Sequence, residues 1–115
     1  MNLYAEARGG ALVVSVKEER LDAAIAIRFK DRMREVTMQP ASRVVLDMSE
    51  VEFLDSSGLG AVVAVMKALA PERQLELAGL RPNVEKVFRL TRMDSVFSLH
   101  EDVDAALRKG LRHVS

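Results

Sequence analysis

Hydrophobic and polar positions follow two different periods along the chain, and the first half predicts strands and one helix. Two short apolar segments flank Gly9 and Gly10, which indicates a β-hairpin whose turn uses the positive φ that glycine adopts readily. Apolar residues at spacings of three and four then predict a helix over residues 22–37, with Asp22 as its N-cap. The uninterrupted apolar run at residues 44–46 is typical of a strand buried on both faces.

The second half continues this alternation. It predicts a helix over residues 57–70, a strand over residues 74–78, a helix from Pro82 and a strand over residues 96–99. A final helix begins with three acidic residues, Glu101, Asp102 and Asp104. These suit the helix dipole better than a metal site. The predicted fold is α/β: one domain over residues 1–115, with a mixed, mostly parallel sheet of four to five strands and about four helices packed against it.

The bulk composition limits the classes of function. The 115 residues are 49% hydrophobic and 30% charged, which suits a globular domain with a single core. With 17 basic and 17 acidic residues the chain has no net charge, so no nucleic-acid partner is expected. The absence of cysteine agrees with a cytoplasmic location. No secretory signal is recognised at the N-terminus, and the uncharged run at residues 56–66 is too short for membrane insertion.

The most distinctive segment is the turn between the central strand and its helix, Asp55-Ser56-Ser57-Gly58-Leu59-Gly60. It places Ser56 at the mouth of the helix, where a serine hydroxyl can cap free backbone N–H groups. An aspartate directly before the serine and two glycines in the first turn make these surroundings unusual. The segment therefore becomes the candidate functional site.

The helix after this turn is apolar nearly all round. Helical spacing predicts that Leu59, Val62, Val63, Met66 and Ala70 face the core. The opposite side then holds Ala61, Ala64, Val65 and Ala68. A surface helix normally carries charge there, so this bare face is either covered by the rest of the chain or kept for another protein. In so short a chain we favour a protein contact surface.

Residues 44–60, with this turn, resemble the signature of STAS domains of the anti-sigma factor antagonist family. The resemblance extends over nearly the whole chain, because Leu21-Asp22 and the apolar positions of the helix from Pro82 also have equivalents there. It implies the STAS fold and a small bacterial regulator that is switched by phosphorylation of a serine in the turn. The modified residue of the family directly follows the aspartate, hence Ser56, with Ser57 as the rival acceptor.

The resemblance also implies the partners. The unphosphorylated form would bind an anti-sigma factor that is usually a serine kinase with bound nucleotide, and would thereby release a sigma factor or other regulator. A PP2C-type serine phosphatase would act on the phosphorylated form. The predicted partner-binding residues are Leu21, Asp22, Asp55, Ser56, Ser57, Gly58, Gly60, Ala61, Ala64, Val65 and Ala68.

The sequence presents no recognisable catalytic apparatus, and we expect neither enzymatic activity, a cofactor nor a metal. Ser56 lacks the Gly-x-Ser-x-Gly context of a serine hydrolase, and only His100 and His113 could serve as its base. No phosphate-binding Gly-x-x-x-x-Gly-Lys motif occurs. Two alternatives stay open: a STAS accessory subunit of a transporter or lipid-trafficking complex, and a domain that senses a nucleotide or small ligand.

Overall fold

The computed structural model describes the backbone of residues 1–114 and the side chains of residues 1–109. The prediction about His113 therefore concerns a side chain outside the described residues. In chain order the elements are β1 (Leu3–Arg8), β2 (Ala11–Val16), β3 (Arg20–Leu21), α1 (Ala26–Val36), β4 (Arg43–Asp47), β5 (Phe53–Leu54), α2 (Ser56–Leu69), β6 (Gln74–Ala78), α3 (Pro82–Leu90), a 3-10 helix (Met93–Ser95), β7 (Leu99–His100) and α4 (Val103–Val114).

Five strands form the main sheet in the order β1-β2-β4-β6-β7. The first two are an antiparallel hairpin, and β2, β4, β6 and β7 run parallel. Strand β4 lies at the centre, and its residues Val44, Val45 and Leu46 are fully buried, as the apolar run predicted. The predicted α/β fold with a mixed, mostly parallel sheet and four helices is confirmed.

The helices cover both faces of this sheet. Helices α1, α2 and α3 pack on one face, where the main core contains Leu12, Leu46 and Leu77 from the strands. Helix α4 packs on the other face, where Ala106 meets a smaller cluster that includes Val13 and Val45. The alternation of side chains along each strand separates the two clusters.

A buried ionic cluster fixes α4 to the sheet. Arg43 donates two hydrogen bonds to Glu76, at 2.6 and 2.8 Å, and a third to the carbonyl oxygen of Ala106. The Nε2 atom of His100 lies 2.8 Å from Glu76 Oε1. Burial alone would raise the pKa of Glu76, but the hydrogen bonds from Arg43 and His100 outweigh it and lower that pKa.

Two predicted boundaries were wrong, and two short strands were not predicted. Helix α1 begins at Ala26 rather than at residue 22, because residues 22–25 form a separate turn in which Asp22 Oδ1 accepts a hydrogen bond from the Ala24 N–H. The last strand is Leu99–His100, since the chain first forms the 3-10 helix that lets Phe97 enter the core. The two-residue strands β3 and β5 were not predicted, and they form a small parallel sheet of their own.

Candidate functional site

The small β3/β5 sheet brings two distant loops together at the start of α2. Leu21 pairs with Leu54 in this sheet, and the carbonyl oxygen of Leu21 also accepts a hydrogen bond from the Asp55 N–H. The loop before α1 therefore lies directly beside the serine turn. This is the juxtaposition that the sequence analysis expected of Leu21-Asp22 and Ser56.

Asp55 caps helix α2. Its Oδ1 atom accepts a hydrogen bond of 2.9 Å from the Gly58 N–H, and its Oδ2 atom accepts one of 3.2 Å from the Ala23 N–H. The hydrogen bond from Gly58 is the largest cause of a lowered pKa of Asp55, and the Ala23 N–H and the positive charge of Arg20 act in the same direction. This carboxylate is therefore ionised at neutral pH.

Both candidate phosphoacceptors are accessible at the N-terminus of α2. Ser56 is the first helical residue, and the side chains of Ser56 and Ser57 are exposed. Neither hydroxyl has a hydrogen-bond partner among the described residues. The expectation that Ser56 caps the helix is wrong, because the carboxylate of Asp55 occupies that role. The hydroxyl of Ser56 is thus free for chemistry with another molecule.

Gly58 allows the close approach of the two loops. A Cβ atom built on it would lie 2.0 Å from the carbonyl oxygen of Leu21 and 2.9 Å from the Leu54 side chain. No side chain fits there. Gly58 is buried and, contrary to the prediction, offers a partner no contact surface. Gly60, two residues further on, is exposed, and a Cβ atom there would meet nothing within 4 Å.

The predicted outer face of α2 was partly wrong. The buried residues of the helix are Gly58, Ala61, Val62, Val65 and Leu69. The buried face is therefore rotated by about 100°, or one residue, from the predicted one. Ala61 and Val65, exposed by only 3% and 6%, belong to the core that α2 forms against the sheet and α1. Of the four residues predicted on the outer face, Ala68 is exposed, as predicted, and Ala64 is half-buried.

Leu21 is a further correction, because its side chain is fully buried and only its backbone lies near the serine turn. Asp22, which was expected at the contact surface, is half-buried and forms an ion pair of 3.1 Å with Arg20. Its carboxylate also closes the turn before α1. Of these two loop residues, only Asp22 presents a side chain toward solvent.

The uncharged exposed residues around the two serines define a surface that we call the serine patch, and the charged side chains of Arg20, Asp22 and Asp55 border it. Its members are Ala23, Ala24, Ile27, Phe53, Ser56, Ser57 and Gly60. Ile27 is 69% exposed and Phe53 39% exposed, although both are large and apolar. Helices α1 and α2 pack side by side, and the hydrogen bond from the Ala23 N–H to Asp55 brings the turn before α1 next to the start of α2.

Two residues of this region were missed by the sequence analysis. Phe53 lies on β5, and the guanidinium carbon of Arg20 lies 4.3 Å from the centre of its ring. Arg20 was interpreted only as part of a charged loop. The available signal was Phe53 itself, an aromatic residue two positions before Asp55.

Other chemistry is not assembled at this site. Nε2 of His100, the histidine whose side chain the structure describes, contacts Glu76 on the α4 side of the sheet. Among the described residues, no three His, Asp or Glu side chains are grouped as metal ligands. No helix in the described part of the chain has the length and apolar character needed to span a bilayer. Asp102, one of the acidic residues before α4, accepts a hydrogen bond from the Ala105 N–H.

Comparison with known proteins places this fold and site in a family. A family model described as STAS domain matches residues 2–106. The putative anti-sigma factor antagonist BtrV of Bordetella bronchiseptica is 31% identical over 96 residues, which are 83% of this chain and 76% of BtrV. The chain therefore belongs to the STAS domain family.

Within that family, further similar proteins also carry the name of anti-sigma factor antagonists. The anti-sigma-B factor antagonist of Listeria monocytogenes is 28% identical over 81 residues, 69% of this chain and 70% of that protein. The crystal structure of an anti-sigma factor antagonist from Mycobacterium paratuberculosis matches with a TM-score of 0.83 and 29% identity, covering 94% of this chain and 92% of that one.

Proposed function

We propose that this chain is an anti-sigma factor antagonist that changes partners when Ser56 is phosphorylated. The unphosphorylated form binds an anti-sigma factor that is also a serine kinase, and this binding releases the sigma factor or other regulator. A PP2C-type phosphatase restores the active form. The names of the similar proteins support the class of anti-sigma factor antagonist. The main observation in favour of a phosphorylation switch is that Ser56 is exposed and that its hydroxyl has no partner within the described residues.

The serine patch is the proposed contact surface. All of its members are uncharged, and the two large apolar ones, Ile27 and Phe53, are exposed. Small residues between them, such as Ala23 and Gly60, allow a partner to approach the backbone closely. The members of the patch can themselves be desolvated at low cost, because only Ser56 and Ser57 contribute polar side chains, whereas Arg20 and Asp55 keep charge at its border.

Phosphorylation would change this balance through charge. A phosphoserine carries about −1.5 to −2 charges at neutral pH. At position 56 it would directly follow Asp55, whose lowered pKa keeps a further negative charge there. Binding would then require two like-charged groups to lose water at one interface, which costs several kcal/mol. Since each 1.4 kcal/mol is a factor of about ten, we expect affinity to fall by at least about 100-fold.

The fold should survive the modification. The N-terminus of a helix stabilises a nearby anion by about 0.3–1 kcal/mol. Ser56 is exposed and contributes no capping hydrogen bond, so the phosphate displaces no internal contact that the described residues make. The proposed switch therefore acts at the surface and requires no refolding.

The test begins with a pull-down by the unmodified protein, in which mass spectrometry identifies the partner. Calorimetry then compares binding of that partner to the unmodified protein and to protein phosphorylated by the partner with ATP. Ser56→Ala should bind like the unmodified protein and resist phosphorylation, whereas the matched control Ser57→Ala should still be modified. Modification of Ser56→Ala with loss in Ser57→Ala would move the site to Ser57, and modification of the double variant Ser56→Ala/Ser57→Ala would reject this turn.

The transporter or lipid-trafficking alternative predicts a different result. An accessory subunit docks permanently, so its partner would be a membrane component, and its affinity would not depend on the state of Ser56. Capture of such a component with equal affinity for the modified and unmodified chain would reject the switch. Capture of a serine kinase with phosphorylation-dependent affinity would support it.

A further inference from the structure

A groove of about 390 Å³ runs between α1 and α2, beyond the serine patch. Its floor is formed by the buried side chains of Met33, Val65 and Leu69. The hydroxyl of the adjacent Thr37 donates a hydrogen bond of 2.6 Å to the carbonyl oxygen of Met33, so it leaves the floor apolar. This volume lies within the range of about 300–1,000 Å³ that is typical of small-molecule sites.

The groove exists because the side chains that the two helices present there differ in size. On α2, Ala64 and Ala68 are four residues apart and present only methyl groups. On α1, the long side chains of Lys30 and Arg34 form the opposite wall, and their aliphatic stems extend the apolar lining toward solvent. Met38, which is 81% exposed, lies at the groove and adds an apolar surface that no neighbour covers.

The rim of the groove is positively charged. Lys30, Arg34 and Arg73 are among the lining residues, and none of the described lining residues is acidic. Lys30 and Arg73 form no ion pair among the described side chains, and Arg34 has only an exposed contact of 3.5 Å with Asp31. The guanidinium of Arg73 is held by a hydrogen bond to the carbonyl oxygen of Gln39. In a chain of zero net charge, this is a local excess of cations around an apolar surface.

We propose that this groove binds a soluble single-chain carboxylate, such as a medium-chain fatty acid. The hydrocarbon chain would cover the floor and the exposed Met38, and the carboxylate would meet Lys30, Arg34 or Arg73 at the rim. Charge complementarity selects an anionic head, and a groove of this volume selects one small molecule over a partner helix, which needs a longer surface. The site uses none of the residues of the serine patch and goes beyond the proposed partner switch.

The test is a titration with decanoate below its micelle concentration, followed by NMR of the methionine methyl groups and by calorimetry. We expect saturable shifts at Met33 and Met38. Decanamide and decyltrimethylammonium have the same chain without the negative charge. Their affinities should be lower than that of decanoate by at least about tenfold, the factor for one lost charge-assisted hydrogen bond. Equal binding of decanoate and decanamide would overturn the proposal.

Variants of the wall residues provide a second test. Lys30→Glu should weaken decanoate binding by at least about tenfold, while the matched control Arg28→Glu, on the same helix but outside the groove, should leave it unchanged. Ala68→Leu should fill the groove from an exposed helical position and block binding without loss of stability. Binding that none of these changes alters, or binding to phosphatidylglycerol vesicles without binding to decanoate, would contradict the assignment.

Discussion

Ala23 and Asp55 are 32 residues apart in sequence and are joined by a hydrogen bond of 3.2 Å from the Ala23 N–H to Asp55 Oδ2. The same carboxylate caps α2 through Gly58. One side chain therefore fixes the start of α2 relative to the turn before α1. These are the two segments that supply most of the serine patch.

Removal of this carboxylate should disturb the site more than removal of the serine beside it. Asp55→Ala deletes the hydrogen bonds to Gly58 and Ala23, so its urea midpoint should fall clearly below that of the wild type. Ser56→Ala deletes an exposed hydroxyl that caps nothing and should change stability by about 0.5 kcal/mol or less. Equal losses in the two variants would mean that the cap is assigned to the wrong residue.

The two glycines of the turn should respond in opposite ways to alanine. Gly58→Ala places a methyl group 2.0 Å from the carbonyl oxygen of Leu21, so the backbone must move and we expect a loss of about 3 kcal/mol or more. Gly60→Ala has open space and should gain about 0.5–1 kcal/mol from helix propensity. Thermal and urea unfolding measure both, and a stable Gly58→Ala variant would refute the close approach.

Neighbouring positions on α2 should separate its core from its surface. Val65→Asp places a carboxylate in the core and should cost more than about 3 kcal/mol, with loss of the circular dichroism signal on mild heating. Ala64→Asp, one residue earlier and half-buried, should stay folded at room temperature. A well-folded Val65→Asp protein with impaired partner binding would restore the outward face that the sequence had suggested.

Phe53 should contribute to partner binding out of proportion to its size. Aromatic residues in the middle of an interface often account for much of its affinity, so Phe53→Ala should weaken binding of the unphosphorylated chain by about tenfold or more. Tyr4→Ala removes another exposed ring, on β1 at the edge of the main sheet, and is the matched control. Equal affinities of the two variants in calorimetry would exclude Phe53 from the contact surface.

Acid should weaken the cluster beneath α4. The lowered pKa of Glu76 means that its carboxylate contributes stability above pH 4.5, its ordinary value, and that this contribution is lost as the pH falls through the lower folded-state pKa. Glu76→Gln should lose about 1.5–3 kcal/mol at neutral pH, because Arg43 then lacks a charged acceptor. In urea titrations below pH 4.5, the free energy of unfolding of Glu76→Gln should fall less with pH than that of the wild type. An equal fall in the two proteins would contradict this role of Glu76.

The extent of sequence-based prediction follows from how much each feature depends on distant neighbours. The apolar run at residues 44–46 marks a strand inside the sheet, and the spacing in α1 marks the helix face that packs into the core. These local patterns predicted the fold. The phase of α2 did not follow from its sequence, because a helix that is apolar nearly all round has no single face for the pattern to select.

The cap of α2 and the small β3/β5 sheet depended on contacts across the chain. Asp55 and Ser56 are both good capping residues; Asp55 takes the cap through the Gly58 N–H, and its other oxygen binds the Ala23 N–H, which only the fold brings close. Strands of two residues carry no periodicity, so the pairing of Leu21 with Leu54 became visible only in three dimensions.

The tight contact between Gly58 and the Leu21 backbone has a consequence for recognition. Because no side chain separates the two loops, neither can shift without the other, and together they form a preorganised docking platform. A binding protein then loses little free energy in ordering this platform. Its affinity can therefore respond to a single added phosphate rather than to a slow rearrangement of the loops.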